Sequence, residues 1–311
     1  MTGDISRREW IAATAGVAAC AMVVEAAPKE PTKPFGLCLN TSTIRGQKLS
    51  VPDQVELAAK TGYDGIEPWV RELDEFVKAG GSLKDLGKRI KDLGLHVPDA
   101  IGFPEWIVDD DERRKKGLDE AKRNMEMVQH LGCSHLAAPP VGYTDRTGLD
   151  LLKAAERYRK LLEIGDSMGV TPIVELWGFS KTLHRLGETA LVAIESGHPK
   201  ACVLPDIYHL FKGGSDFEGL KVLRGNAIGI FHINDYPANF DREKIKDADR
   251  IYPGDGIAPL KSVLKMLMAM DYRGMLSLEL FNPEYWKQDA ALVAKTGLEK
   301  MKAVVASAME K

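Results

Sequence analysis

Residues 151–176 read LLKAAERYRKLLEIGDSMGVTPIVEL, and they hold one complete α/β step. The stretch 151–168 has helical periodicity, Gly169 supplies the left-handed cap that turns the chain back, and 170–176 is an apolar run of strand character that ends on Glu175. The same step recurs on both sides. Apolar runs at 35–40, 65–69, 96–102, 135–139, 170–176, 201–206, 228–233 and 275–281 alternate with amphipathic stretches at 52–60, 83–93, 112–131, 151–168, 183–196 and 260–270. Most of these stretches are followed by a glycine, at Gly62, Gly94, Gly132, Gly169 and Gly197. A short sixth helix at 216–224 is the least defined element, and 290–309 closes the ring. Eight strands in regular alternation predict a closed (β/α)8 barrel, an α/β fold, rather than an open doubly wound sheet.

Four consecutive strands in the C-terminal half end on residues that ligate metals: Glu175 in PIVELWG, Asp206 in VLPDIYH, His232 in GIFHIND and Glu279 in LSLELFN. One acidic residue at a strand end is ordinarily a helix cap or a surface charge. Four of them on neighbouring barrel strands meet on one rim, where a buried carboxylate is costly unless a cation pairs with it. Three carboxylates and one imidazole suit one catalytic divalent cation, Mn²⁺ first and Mg²⁺ or Co²⁺ next, and not a thiolate-rich structural zinc site.

The 311-residue chain is 44% hydrophobic and 28% charged, enough for one large core, and its formal charge of −3 offers no basic field to nucleic acid or anionic lipid. A small-molecule partner is favoured; a homo-oligomer is left open. At the N-terminus, Arg7 and Arg8 precede an apolar run at 12–24 that is too short to span a bilayer. This pattern resembles a twin-arginine export signal. Residues 1–33 are therefore expected to be signal and linker and 34–311 the barrel, with the protein periplasmic, or membrane-anchored if Cys20 in Val17-Ala18-Ala19-Cys20 is a lipidation site. Cys38, Cys133 and Cys202 sit in or beside apolar runs without C-x-x-C spacing and are expected to be buried free thiols.

The residues Glu175, Asp206 with His209 three positions on, His232, Arg250 ahead of Pro253-Gly254-Asp255-Gly256, and Glu279 after Tyr272-Arg273-Gly274 resemble the xylose isomerase-like barrels. These include sugar phosphate isomerases and epimerases and relatives of apurinic endonucleases. The resemblance implies that Glu175, Asp206, His232 and Glu279 bind the metal and that Glu175 and Glu279 flank the substrate carbon as base and acid. It further implies that His209, Arg250 and Glu67 face the sugar. Of the tryptophans near strand ends or rim loops, Trp177 is the first candidate for stacking on a sugar ring, ahead of Trp69, Trp106 and Trp286. His96 and His135 fall at strand starts, away from this rim, and His130, His184 and His198 lack ligand spacing.

The chemistry expected of such a site is reversible proton transfer next to a sugar carbonyl through an enediolate, with the cation polarising the carbonyl. An isomerase or epimerase acting on an unphosphorylated sugar is the leading expectation, since no phosphate cradle is recognisable. A lyase or hydratase acting on 3-keto sugars or glycosides begins with the same proton removal. A noncatalytic sugar-binding barrel is a third reading, disfavoured by four intact ligand positions. A trinuclear-zinc nuclease needs further histidines where this chain has Asp99-Ala100-Ile101, Ala138-Pro139-Pro140 and Asp247-Ala248-Asp249.

Overall fold

The structure, a computed structural model, describes residues 33–310, and its compact unit begins at Pro34. The signal-like segment with Arg7, Arg8 and Cys20 lies outside the described residues. Among the described residues no helix is long and apolar enough to cross a membrane.

Among the described residues seven parallel strands form the inner wall: β1 (Gly36–Asn40), β2 (Gly65–Glu67), β3 (His135–Ala138), β4 (Thr171–Glu175), β5 (Val203–Leu204), β6 (Phe231–Ile233) and β7 (Met275–Leu278). They pair in the orders β2-β1-β7-β6 and β3-β4-β5. Two seams complete the ring. Bridges Val203↔Ile228 and Asp206↔His232 join β5 to β6, and the segment 96–101 joins β2 to β3 through bridges Gly65↔His96 and Trp69↔Ile101 and a bond from Ala137 N–H to the Ala100 carbonyl. The expected third strand, 96–102, is thus in its place in the barrel without being a regular strand. Pro98 has no N–H to give to a ladder, and its carbonyl takes the Ser134 hydroxyl instead.

The helices are α1 (Val51–Thr61), α2 (Val70–Lys78), α3 (Leu83–Asp92), α4 (Asp111–Gln129), α5 (Leu151–Met168), α6 (Leu186–Glu195), α7 (Ile207–Gly213), α8 (Leu260–Ala269), α9 (Pro283–Trp286) and α10 (Ala290–Met309). Side-chain caps start several of them: Ser50 accepts from Asp53 N–H, and Asp110 from Arg113 N–H. At their ends Gly62, Gly94, Gly132, Gly169 and Gly197 all take positive φ, from 60° to 95°, a backbone region that a Cβ disfavours. The helix expected from 183 starts at Leu186 because Leu183 itself has φ 51°. The short sixth helix is a 3₁₀ turn, Phe217–Val222. The charged α2 was not among the expected elements, although Val70 and Leu73, both buried, and Phe76, packed against the core, stand at spacings of three on one face.

Two separate hydrophobic clusters make up the core. The larger lies between strands and helices, and the smaller fills the barrel with Trp69, Ile101, Ala137, Ile173, Cys202, Leu204 and Ile230. Because strand side chains alternate with period two, Ile173 is followed on the same face by Glu175, Leu204 by Asp206, Ile230 by His232, and Ser277 by Glu279. The inner face is therefore layered, with an apolar floor beneath a polar tier. Cys38, Cys133 and Cys202 are buried and free.

Candidate active site

Asp206 follows β5 in extended conformation and caps α7, its Oδ1 accepting from the His209 N–H at 2.8 Å. Its Oδ2 remains for the barrel interior, where it accepts from Asn234 Nδ2 at 3.0 Å and from Arg250 Nη1 at 3.1 Å. Arg250 Nη1 also donates to Glu279 Oε2 at 2.8 Å, while Nη2 donates to Asp247 Oδ1 at 2.5 Å. The loop carrying Arg250 is held at both ends. Residues 235 and 251 form an antiparallel bridge, and the Asp235 carboxylate gathers the N–H groups of Gly254, Gly256 and Ala258. The Pro253–Gly256 motif is thus an anchor for Arg250.

His232 is fully buried between three acids. Its Nε2 lies 3.0 Å from Glu67 Oε1, so Nε2 carries the donated proton, and Nδ1 faces Glu279 Oε2 at 3.3 Å and Asp206 Oδ2 at 3.6 Å with no hydrogen-bond partner. A carboxylate behind a histidine whose other nitrogen is unpaired is the arrangement that fixes a metal-ligating imidazole. Among the described residues, Asp206, His232 and Glu279 bring one ligand atom each within 4.8 Å of one another. Two oxygens and one nitrogen, the nitrogen orphaned, fit a divalent cation.

Glu175 belongs to the same site but not to that cluster. It lines a cavity of about 220 Å³ whose polar wall is completed by His209, Asp247, Arg250 and Glu279 and whose other wall is Trp69, Ile101, Phe103, Trp177, Phe179 and Phe281. Burial, reinforced by Glu279, pushes the Glu175 carboxyl up to about 8. The opposite holds at Asp206, where burial is outweighed by Arg250, His209 and His232, and the pKa falls below the usual carboxylate range. For His232, burial opposes the charged form but Glu67 and Glu279 override it, and the pKa lies well above the ordinary value. His209 is lowered to about 4 by burial and by Arg250. Both of its ring nitrogens face donors, Nδ1 the Gly178 N–H at 3.2 Å and Nε2 the Arg250 Nη2 at 3.1 Å, an arrangement that disfavours the imidazolium.

Of the residues expected to face a substrate, His209, Arg250 and Trp177 line the cavity and Glu67 does not. Glu67 is fully buried beneath it, with Oε1 on His232 and Oε2 accepting from Asn40 Nδ2 at 2.8 Å and Ser277 Oγ at 2.5 Å. Trp69 lines the cavity, whereas Trp106 is sealed in the core, donating to the Pro139 carbonyl, and Trp286 donates to the Ser42 carbonyl outside it. Asn40, Asn234 and Ser277 escaped the sequence reading because none is a metal-ligand type. The period-two rule reaches them all the same: Ser277 and Asn234 lie two positions from Glu279 and His232, and Asn40 ends β1 as Glu67 ends β2.

The sequence matches the family model described as Xylose isomerase-like TIM barrel over residues 55–304. It is 31% identical over 284 residues to an inosose isomerase of Bacillus velezensis, covering 86% of this chain and 96% of that one. It is also 27% identical over 261 residues to a 3-dehydroshikimate dehydratase of Pseudomonas aeruginosa, covering 81% of this chain but 39% of that larger protein. The fold superposes on the crystal structure of IOLI protein with a binding zinc atom at a TM-score of 0.83 and 24% identity, covering 89% of this chain and all of that one.

Proposed function

Because the chain belongs to the xylose isomerase-like TIM barrel family, we propose that it is a divalent-metal-dependent isomerase or epimerase that moves a proton next to the carbonyl of an unphosphorylated sugar or cyclic keto polyol. The observation that carries this reading is the meeting of two carboxylates, Glu175 and Glu279, on one cavity beside the cluster Asp206, His232 and Glu279. A cation held by Asp206, His232 and Glu279 supplies Lewis-acid polarisation of the carbonyl. One glutamate takes the proton from the carbon next to it, and the other returns a proton to the same carbon from the opposite face or to its neighbour. Arg250 and His209 orient substrate oxygens, Trp177 packs on the ring, and Glu67 holds His232 in register from behind. The donor set favours Mn²⁺, with Mg²⁺ or Co²⁺ next, whereas the structurally similar IOLI protein was captured with zinc. Metal analysis of the purified protein decides among them.

The aromatic wall favours a second reading. Trp177, Phe103 and Phe179 form a chain of ring contacts, with centroids 5.7 and 5.1 Å apart, and a flattening ring product packs well on such a surface. Loss of a β-hydroxyl as water after the same proton removal is dehydration, the activity named for the Pseudomonas relative. Incubation with Mn²⁺ and a panel of ketoses, aldoses, inososes and 3-keto glycosides in D₂O, followed by NMR and mass, tests both. An isomer carrying deuterium at the former α-carbon supports isomerisation or epimerisation. A product lighter by water or by an aglycone replaces it with the lyase reading.

Export by the twin-arginine route to the periplasm, or to the membrane through Cys20, is the proposed location. Changing Arg7 and Arg8 to Lys should hold the precursor in the cytoplasm, and unchanged export would remove this part of the proposal.

A further inference from the structure

Asp99 lies in the segment 96–101 that stands between β2 and β3. Two positions back from the bridge Trp69↔Ile101, whose side chains both fill the barrel, period-two alternation sets Glu67 and Asp99 side by side on the inner face, and their carboxyl groups come within hydrogen-bond reach of each other. Both are fully buried. Their partners differ. Glu67 accepts from His232, Asn40 and Ser277, which take three of the roughly four lone-pair sites of a carboxylate. Neither oxygen of Asp99 has a hydrogen-bond partner; the Ala100 N–H approaches, but not at hydrogen-bond geometry. Other titratable groups around Asp99 are the thiols of Cys38, Cys133 and Cys202, which burial keeps protonated, and His232, whose Nε2 already serves Glu67.

Two buried carboxylates in contact repel each other, and a buried oxygen without a donor is costly. One proton between them removes both penalties. It belongs on Asp99, because Glu67 is already supplied with donors and Asp99 has none. Burial first, and Glu67 next, push the Asp99 carboxyl well above the usual carboxylate range, and His232 offsets them only in part. We propose that Asp99 is a positioning residue, a neutral carboxylic acid whose hydroxyl donates to Glu67 and so fixes the carboxylate that orients His232 for a divalent cation. The hydroxyl takes the lone-pair site that His232, Asn40 and Ser277 leave, and the Glu67 carboxylate is then held from every side. Asp99 touches neither cation nor substrate and acts only through Glu67. The inference rests on the reading of Asp206, His232 and Glu279 as a cation site and adds to it a residue from beneath that site.

The proton and the positioning are tested separately. In protein carrying carboxyl-labelled ¹³C aspartate, infrared spectra at neutral pH should show the carbonyl band of a neutral carboxylic acid, moved by the label and by D₂O and missing in Asp99→Asn; the aspartate label keeps Glu175 out of the band. Calorimetric titration with Mn²⁺ reads the positioning. Asp99→Leu, without a donor, is expected to weaken binding by about tenfold, and Asp99→Asn, whose amide can donate to Glu67, to stay within about twofold of the unaltered protein. Absence of the band from the unaltered protein, or its survival in Asp99→Asn, overturns the neutral acid, and this readout does not depend on whether Asp99→Leu folds. Mn²⁺ affinity untouched in Asp99→Leu, or as weak in Asp99→Asn as in Asp99→Leu, overturns the positioning role and leaves the cation reading standing. No Mn²⁺ binding by the unaltered protein overturns the cation reading and the link to His232 together, while the infrared band still decides where the proton lies.

Discussion

Glu67 and Glu175 end short parallel strands, β2 and β4, and each follows an apolar run on the inner face of the barrel, yet they have become different chemical objects. Around Glu67 every oxygen is engaged: His232 on one, Asn40 and Ser277 on the other, and the net effect of these partners over burial is to lower its pKa. Glu175 is as deeply placed, but it faces the cavity with Glu279 as its charged neighbour, and burial pushes its pKa up to about 8. Position at a strand end makes a carboxylate available to the barrel mouth. What surrounds it decides whether it holds another side chain still or meets a substrate.

The largest effect that would break this contrast is on turnover. Glu175→Gln is expected to lower activity by about 10²- to 10⁴-fold while the thermal midpoint stays the same or rises, because an amide keeps the shape but transfers no proton. Full activity in that variant would erase the distinction from the catalytic side. Glu67→Ala should do the reverse in kind: loss of a buried partner of His232 is expected to destabilise the fold by about 3–5 kcal/mol, read by urea denaturation. A loss below about 1 kcal/mol would show that Glu67 is not the structural member of the pair.

Chelation sharpens the comparison at intermediate size. If Asp206, His232 and Glu279 hold a cation, saturation at a hundredfold its dissociation constant stabilises the native state by about 2.7 kcal/mol, so the thermal midpoint should fall with chelator and recover with Mn²⁺. In the chelated protein Glu175 then shows its environment directly. Its folded pKa of about 8 exceeds its ordinary 4.5, so the native state holds more protons between those values and stability falls as pH rises through that window. Glu175→Gln should flatten this slope, and a slope unchanged by the substitution would place Glu175 in a polar setting like that of Glu67. The smallest expected effect is that of Ser277→Ala. Asn40 still serves the same Glu67 oxygen, and a loss of about 1–2 kcal/mol measures what the hydroxyl adds.

Much of this was legible along the chain. Helices at 151–168 and 290–309 appear with the bounds their periodicity gives, and the glycine caps fall where the chain turns back toward strands. The strand-end residues Glu175, Asp206, His232 and Glu279 reach the inner face because period-two alternation puts them there whatever the neighbouring strands contain. Two elements were not anticipated: α2, a mostly charged stretch whose few apolar residues Val70, Leu73 and Phe76 nonetheless share one face, and the departure of 96–101 from a regular strand, where Pro98 keeps the path of a strand but not its ladder. The tetrad expected from the strand ends gathers as a triad, with Glu175 on the cavity wall beside it.

The sequence by itself determined the alternation of elements, the face on which each candidate ligand lies and the chemical type of the site, since these follow from local periodicity, capping and side-chain chemistry. Only the tertiary structure decided that Glu67 backs His232, that Arg250 bridges Asp206 and Glu279, and that Arg45 lies over the Trp69 ring. These contacts join residues from distant parts of the chain, and the registers that bring them together, such as Asn40 beside Glu67 and His232 beside Ser277, are set by closure of the barrel rather than by any stretch of sequence.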